Sequence, residues 1–320
     1  MVTIGIDLGG TKLLGVAVDG TATVVAERKV PTPAGEPAVL AAVCDLVDSL
    51  VDGLDGNLAD DPGPVVGVGV GAPGLVDRAG VLRTAPNLPG VVDLDVKGAL
   101  AARFPGVAIR IDNDATCAAW AEYRLGASVG VDDSVLVTLG TGIGGGLVAG
   151  GRLVRGAHGF AGEIGHMVVD PSGLACPCGN RGCWERVASG SGLGRLGREA
   201  AMEGRAVRVV ELAGGDPADI RGEHVTAAAA EGDAQAVAVM AGFAWWLALG
   251  LSNLANILDT GLFVLGGGLV ASADVLLVPT RRAFADLVLG ATERGVRIEA
   301  AVLGPQAGAV GAALLATAPD

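Results

Sequence analysis

The chain has 320 residues, 51% hydrophobic and 18% charged, which is enough apolar material for more than one core and predicts two domains. Its net charge of −13 argues against a nucleic-acid partner, because neutralising phosphates requires basic patches. The five cysteines are an odd number and no secretory signal precedes the first strand. We therefore expect a cytoplasmic protein without a disulfide framework.

The first thirty residues read as three short strands, VTIGIDLG, KLLGVAVD and ATVVAERKV, with a hairpin turn at Asp19-Gly20. A helix is predicted over residues 36–52, and buried strands at VVGVGVGA and VAIRIDND precede a helix over Ala115–Leu125. The acids of CDLVDSLVDGLDGNLADD recur every three to four residues, which indicates the solvated face of a helix. Strands interleaved with helices are typical of an α/β protein.

The opening pattern recurs about one domain length further on. In DSVLVTLGTGIGGGLVAGGRLVRG a strand, a Gly-Thr turn, a strand, a Gly-Gly hairpin and a strand follow one another again. A repeat this long predicts two related halves. A third glycine turn, in LFVLGGGLV, follows a predicted strand and precedes a helix.

One stretch, residues 234–258, is long and uncharged enough to suggest a membrane span. It is flanked by aspartates instead of lysine or arginine, and Ser252, Asn253 and Asn256 interrupt it. We predict a helix buried inside a soluble domain, and no membrane partner.

The Gly-Thr turns of DLGGTK and LGTGIGGG are neither P-loops nor dinucleotide fingerprints, because the spacing differs and a strand follows each turn. Such a turn can present backbone N–H groups and a hydroxyl to phosphate oxygens. Ordinary hairpin chemistry is the better explanation for either turn alone, but the pair favours phosphate binding. Asp7, at a strand end, suits a water-mediated Mg²⁺. In the DND at 112–114, Asp112 could be a cap, Asn113 a turn residue and Asp114 an N-cap.

The segment GHMVVDPSGLACPCGNRGCWE concentrates histidine and cysteine in a chain that is poor in both. Three thiolates and one imidazole make a closed tetrahedral zinc shell, with coincidence or a redox switch as the alternatives. Cys44 and Cys117 lie on apolar helix patterns and are expected to be inert core residues. The predicted zinc ligands are His166, Cys176, Cys178 and Cys183.

Together these stretches resemble the ROK family (repressor, open reading frame, kinase), in particular its bacterial glucokinase branch, over essentially the whole chain. The resemblance is carried by DLGGTK, GAPG, IDNDA, AWAEYRLGA, LGTGIGGGL, GEIGHM, CPCGNRGCWE and LGGG. It implies two actin-like (ribonuclease-H-like) α/β ATPase domains with a cleft between them. Residues 1–112 plus 304–320 would form the small domain, to which the C-terminal helix returns. Residues 113–303 would form the large domain, with the zinc loop at 166–183.

The resemblance also implies roles for individual residues. Asp114 would be the catalytic base, which also contacts the sugar, and the motif NDATCAA departs from the family only in helix packing behind that base. His166 could give one ring nitrogen to zinc and turn the other to a sugar hydroxyl. The expected sugar ligands are Asn113, Glu163, His166 and Glu185, with Gly74 and Asn87 at the rim. The expected ATP-binding residues are Asp7, Gly9, Gly10, Thr11, Lys12, Gly140, Thr141, Gly142, Gly266, Gly267 and Gly268.

The implied function is ATP-dependent phosphorylation of the glucose 6-hydroxyl, with ATP, Mg²⁺ and a structural Zn²⁺. An N-acylmannosamine kinase or a fructokinase is the alternative within the enzyme class. A sugar-sensing regulator of the same fold would carry an N-terminal helix-turn-helix, for which the strand beginning at Val2 leaves no room. The family resemblance further implies a homodimer or a dimer of dimers.

Overall fold

The computed structural model describes residues 1–57 and 63–318. Strands and helices alternate along most of this part of the chain. The strands are β1 (Val2–Leu8), β2 (Lys12–Val18), β3 (Val24–Pro31), β4 (Val65–Ala72), β5 (Leu75–Val76), β6 (Leu82–Thr84), β7 (Val92–Leu94), β8 (Ala108–Asn113), β9 (Ser134–Leu139), β10 (Ile143–Ala149), β11 (Arg152–Leu153), β12 (Leu262–Gly266) and β13 (Arg297–Ala300). The helices are α1 (Glu36–Asn57), α2 (Val96–Arg103), α3 (Asp114–Leu125), α4 (Glu185–Ala188), α5 (Gly190–Met202), α6 (Val207–Leu212), α7 (Gly222–Ala230), α8 (Ala234–Leu258), α9 (Ala273–Leu287), α10 (Ala291–Arg294) and α11 (Ala307–Leu315).

Two five-stranded sheets share one topology. Their strand orders are β3-β2-β1-β4-β8 and β11-β10-β9-β12-β13. In each sheet the first three strands pair antiparallel and the last two run parallel to the central strand. The predicted internal repeat is therefore confirmed, and its two Gly-Thr turns occupy equivalent places, between β1 and β2 and between β9 and β10. A small third sheet, β5-β6-β7, lies between β4 and α2 in the chain.

Helix α1 has the predicted amphipathic pattern and is longer than predicted. Asp45 and Asp52 are exposed, whereas Val43 and Val47 are buried in the core of the first sheet. The last acids of the predicted solvated face, residues 60 and 61, lie outside the described residues.

The hairpin between β2 and β3 differs from the prediction. The loop does not turn at Asp19-Gly20 alone, because the N–H of Asp19 donates to the carbonyl of Thr23 at 3.0 Å. The left-handed residue is Ala22, at φ 63°. The Asp19 carboxylate compensates by accepting the backbone N–H groups of Thr21 and Thr23 at 2.8 and 3.0 Å. Side-chain hydrogen bonds, not glycine, stabilise this turn.

Helix α8 is a core helix, as predicted. Although its length and hydropathy would suit a membrane span, half of its most apolar window is buried inside the protein. Phe243, Leu247 and Leu251 are fully buried on its inner face. At Gly250 the helix is so close to the Trp184 ring that an added Cβ would lie 2.0 Å from the ring.

Helix α3 follows the first sheet in the chain but packs on the second, and α11 follows the second sheet but packs on the first. Helix α11, the last of the chain, packs on β1 and β4 of the first sheet, whereas α3, which follows β8 of that sheet, packs on β9 and β10 of the second. The two helices also pack on each other, where a Cβ at Gly311 would lie 1.7 Å from the carbonyl oxygen of Cys117. The expected return of the C-terminal helix is thus observed, while the exact domain boundaries stay a prediction.

This packing predicts that replacement of glycine by alanine has opposite effects on protein stability at two helical positions. Gly311→Ala should destabilise the protein by about 1–3 kcal/mol, because the new methyl group meets backbone that cannot move aside. Gly242→Ala, on the outer face of α8 where nothing lies within 4 Å, should stabilise it by up to about 1 kcal/mol through helix propensity. Thermal unfolding of both variants checks this. Stabilisation by both substitutions would contradict the close approach of α11 and α3.

Candidate active site and metal centre

The DND segment forms the junction of β8 and α3, and the cap there is Asn113. Its Oδ1 accepts the backbone N–H groups of Ala115 and Thr116 at 2.9 and 3.1 Å. Its Nδ2 donates to the carbonyl of Gly74 at 3.1 Å. The alternatives that made Asp112 or Asp114 the cap, and Asn113 a mere turn residue, are therefore wrong. Asp114 is the first helical residue, and capping does not require its carboxylate.

Asp114 and Asp7 form a pair of electrostatically coupled carboxyl groups. The pKa of Asp114 is raised to about 7, chiefly by burial and in part by the charge of Asp7, while the hydrogen bond from the Ala115 N–H opposes the rise. Burial also raises the pKa of Asp7 to about 6, against the charge of Lys12. Both carboxyls are therefore harder to ionise than an ordinary aspartate in the absence of a cation. A divalent ion close to both would relieve this cost, so the residues present fit the predicted Mg²⁺.

A cavity of about 570 Å³, here called the Asp7 cleft, opens beside this pair. Its volume lies in the range of small-molecule sites. At Gly267 the φ angle is 87° and a Cβ would lie 2.6 Å from the carbonyl oxygen of Leu139, so only glycine fits the turn after β12. Besides Asp7, Asp114 and Glu122, the lining includes Gly266, Gly267, Gly268, Ala118, Leu136, Thr138, Val270, Gly304 and Gly308.

The two Gly-Thr turns are exposed, and each lies against a residue expected to contact sugar. A Cβ at Gly10 would be 2.6 Å from the carbonyl oxygen of Asn87. A Cβ at Gly142 would be 2.5 Å from Oε2 of Glu185. Thr11 and Thr141 are exposed at the tips of these turns. Each turn thus joins a predicted phosphate site to a predicted sugar site.

Glu163, His166 and Glu185 form one cluster. Nε2 of His166 lies 3.7 Å from Glu163 Oε2, and its Nδ1 lies 3.8 Å from Glu185 Oε1. Burial raises the pKa of Glu163, while the neighbouring imidazole lowers it. Because the charge of Glu163 also raises the pKa of Asp114, this cluster and the Asp7 cleft belong to one electrostatic environment.

The four predicted zinc ligands converge. The ligand atoms of His166, Cys176, Cys178 and Cys183 all lie within 4.8 Å of one another. The sulfur atoms of Cys178 and Cys183 are 3.6 Å apart, close to the ~3.8 Å separation that a tetrahedral shell with Zn–S bonds of ~2.3 Å requires. Nδ1 of His166 faces Cys176 at 3.9 Å. The donor set and its spacing therefore fit a structural zinc ion.

The loop that carries these ligands is folded by its own backbone and anchored by Trp184. Val168 bridges to Cys183, and the N–H of Trp184 donates to the carbonyl of Met167 at 2.8 Å. The indole of Trp184 is fully buried, and its Nε1 donates to the carbonyl of Trp246 on α8 at 2.9 Å. Glu185 is the next residue, so the core of the second sheet fixes its position.

Three further residues that shape this region were not predicted. Arg155 pairs with the buried Asp112, Nε to Oδ2, at 2.7 Å. Glu122 is 0% exposed, and its carboxylate accepts the N–H groups of Ala127, Val302 and Leu303. The sequence did contain a signal for Glu122. It lies four residues after Ala118, on an apolar helix face where a charged side chain requires buried partners. No local pattern identifies Arg155 or the role of Trp184.

The paired sheets, with the cleft at their junction, define a two-domain α/β protein of the actin-like class. The model of the ROK family matches residues 3–318, and the chain belongs to that family. The predicted family and fold are thereby confirmed.

Individual relatives match over nearly their whole length. A glucokinase of Streptomyces coelicolor is 38% identical over 99% of this chain and 98% of its own. An N-acetylmannosamine kinase of Escherichia coli is 33% identical, again over 99% and 98%. The crystal structure of a ROK family glucokinase from Streptomyces griseus in complex with glucose and AMPPNP superposes with a TM-score of 0.85 at 38% identity, covering 99% of both chains.

The metal centre predicts one zinc ion per chain. Cys178→Ser should remove it and lower thermal stability, because the loop then loses its cross-link. Zinc affinity should fall as the pH is lowered, since acid protonates the ligands. Elemental analysis of the purified protein measures the metal, with Cys44→Ser on α1 as the matched control that keeps it. Full zinc occupancy in Cys178→Ser would contradict the ligand set.

Proposed function

We propose that this ROK family member is a glucokinase that transfers the γ-phosphoryl group of ATP to the 6-hydroxyl of glucose. The observation that carries the proposal is the position of Asp114, a carboxyl with a raised pKa at the start of α3 that lines the Asp7 cleft and senses the charge of Glu163. Kinship over the full length with ATP-dependent hexose kinases supports the enzyme class. The greater identity to glucokinases favours glucose over N-acetylmannosamine.

Phosphoryl transfer requires mainly positioning and neutralisation of charge. In our proposal the adenosine lies against Gly266–Gly268, and the phosphates extend toward the two Gly-Thr turns. The backbone N–H groups of those turns and Lys12 would bind phosphate oxygens. Mg²⁺, held near Asp7 through water, would supply further positive charge. Asp114 would accept the proton of the attacking 6-hydroxyl, for which a pKa near the working pH is well suited.

Sugar orientation falls to the residues around Asp114. Asn113 is rigid because its amide both caps α3 and binds the Gly74 carbonyl, so it can present a fixed polar edge to a hydroxyl. Glu163 and the Nε2 face of His166 would contact further hydroxyls. With Asn87 beside the first turn, closure around the ring would exclude water, which would otherwise compete as an acceptor.

The metal centre would act on the sugar site through Glu185. Oε1 of Glu185 accepts a hydrogen bond from the Cys176 thiol at 3.1 Å. Deprotonated Cys176, the form that a zinc shell requires, offers no such donor. The Glu185 carboxylate is then available to a substrate hydroxyl, while His166 is held through Nδ1. A closed four-ligand shell would leave zinc itself without a role in the chemical step.

A cytoplasmic homodimer, or a dimer of dimers, is the assembly we propose. Support comes from the outer face of α8, which carries no charge along 25 residues. Val237 and Trp245 are 48% and 43% exposed on that face, where a second copy could cover them.

An ATP-coupled assay over glucose, N-acetylmannosamine and fructose tests the function. We expect kcat/KM for glucose to exceed the other two by about tenfold or more, since one well-made polar contact discriminates on that scale. Equal or better turnover of N-acetylmannosamine would assign the alternative activity. Absence of turnover with every hexose would refute the proposal.

The variant Asp114→Asn tests both the proposed role of Asp114 as general base and the stability lost when its buried carboxyl ionises. Activity should fall by about 10²–10⁴-fold, with glucose binding by calorimetry retained. The pKa of Asp114 is raised from 3.8 to about 7, so folding favours the protonated form. The resulting stabilisation is complete below pH 3.8 and is lost as the pH rises through 7.

The same variant should therefore be more stable than the parent protein at pH 8, on the order of a few kcal/mol without ligands. At pH 5 the difference should have shrunk to about 1–2 kcal/mol, and below pH 3.8 the two proteins should unfold at nearly the same temperature. A variant that is inactive and also less stable at pH 8 would make Asp114 a structural residue.

The second Gly-Thr turn can be tested with neighbouring glycines. Nothing lies within 4 Å of a Cβ at Gly140, whereas a Cβ at Gly142 meets Glu185. Gly140→Ala should raise the KM for ATP several-fold and leave that for glucose nearly unchanged. Gly142→Ala should raise both, because the Glu185 carboxylate must move. Unchanged kinetics in Gly140→Ala would leave this turn an ordinary hairpin.

A further inference from the structure

A second cavity, here called the arginine cavity, lies outside the proposed active site. Its volume is about 510 Å³, and it opens between β8, α2 and the β5–β6 turn on one side and the segment after β11 on the other. None of the residues proposed to bind ATP, sugar or metal lines it. The lining residues are Val76, Asp77, Arg78, Gly80, Lys97, Ile109, Arg110, Ile111, Asp112, Leu153, Arg155 and Gly159.

The arginine cavity is cationic in a strongly acidic protein. Four of its lining residues are basic and two are acidic, whereas the whole chain carries a net charge of −13. Both acids already have partners. Asp77 accepts the N–H groups of Ala79 and Val81 and pairs with Arg83. Asp112 pairs with Arg155 at 2.7 Å.

Among the residues that the structure describes, two of the cations lack a compensating carboxylate. Arg78 donates from Nε and Nη2 to the neutral carbonyl of Gly156, at 2.9 and 2.5 Å. Lys97 is exposed on α2 and, within residues 1–57 and 63–318, forms no ion pair. Its alkyl chain rests near Gly80, where a Cβ would lie 3.0 Å from the lysine Cδ. The two positively charged side chains therefore line one cavity, where both attract an anionic ligand.

The cavity also bridges the two halves of the chain. Arg78, which follows β5, binds Gly156 after β11, and Arg155 reaches back to Asp112 on β8. The backbone N–H of Arg78 donates to the carbonyl of His158 at 3.2 Å. These contacts hold the walls in place without a ligand, so Arg78 and Arg155 are preorganised.

We propose that the arginine cavity binds a small phosphate monoester, with the dianionic phosphoryl group between Arg78 and Lys97. A guanidinium and an ammonium are the side chains that recognise phosphate best, the first through its planar fork and the second as a point charge. The volume exceeds what inorganic phosphate fills, and the remaining walls, from Val76, Ile109 and Ile111, suit a small organic moiety.

Calorimetric titration of the full chain with ribose 5-phosphate tests the proposal. Saturating glucose and AMPPNP are included to occupy the proposed active site. We expect one molecule bound per chain, weaker binding of inorganic phosphate and no binding of ribose. Lys97→Ala and Arg78→Ala should each weaken binding about tenfold or more, and added salt should weaken it further.

Lys29→Ala is the matched control, because Lys29 is an exposed lysine on β3 away from the cavity. It should leave the affinity unchanged. Since Lys97 is exposed, its loss should not affect folding, which the melting temperature of each variant checks. Absence of saturable binding to the parent protein, or equal binding by Lys97→Ala and Lys29→Ala, would overturn the proposal.

Discussion

The close approach of α11 to the first sheet and to α3 determines the geometry of the proposed active site. A Cβ at Gly5 would lie 1.8 Å from the carbonyl oxygen of Ala309, and one at Gly69 would lie 1.9 Å from that of Ala312. With Gly311 against Cys117, backbone touches backbone on both sides of the helix. Such contacts tolerate no added methyl group, so the sheet, α11 and α3 have one mutual arrangement.

That arrangement brings Asp7 and Asp114 into one cleft. Asp7 lies in β1 and Asp114 begins α3, the two elements between which α11 is packed. The start of α11 closes the site, since a Cβ at Gly308 would lie 3.1 Å from Cγ of Asp7. Burial then raises the pKa of both carboxyls, and the charge of Asp7 contributes to the rise at Asp114. The fold thus sustains an electrostatic cost that only a cation or a proton relieves, which is typical of a functional site.

The features that the sequence predicted well are those encoded by local pattern. Alternating and continuous apolar runs identified β1, β4, β9 and β12, and the repeat of turn and hairpin identified two related sheets. The convergence of the four predicted metal ligands could be anticipated because all four lie within one short segment. The cap at Asn113 was assigned wrongly, because three polar residues in a row at a helix start have nearly equal capping propensity.

What escaped prediction depends on partners far apart in the chain. Arg155 meets Asp112, and Glu122 meets the backbone of Val302 and Leu303, across contacts that no short window contains. Ala22 adopts a left-handed conformation that its side chain disfavours, because the Asp19 carboxylate and the flanking strands determine it. In each case tertiary contacts override local propensity.

The metal loop has features of both kinds, some predictable from local sequence and others dependent on distant contacts. Its predicted ligands lie within one short segment and could therefore be predicted from the sequence, but the position of Glu185 depends on elements far away in the chain. Trp184 is fixed by the carbonyl of Trp246 and by the absence of a side chain at Gly250, while Gly142 leaves room for the carboxylate itself. In our proposal, a metal ion in this loop orders the sugar site because α8 and the second Gly-Thr turn confine the residue that follows Trp184. The cysteine spacing predicts where a metal would bind, and the packing of the second sheet determines which residue that metal would influence.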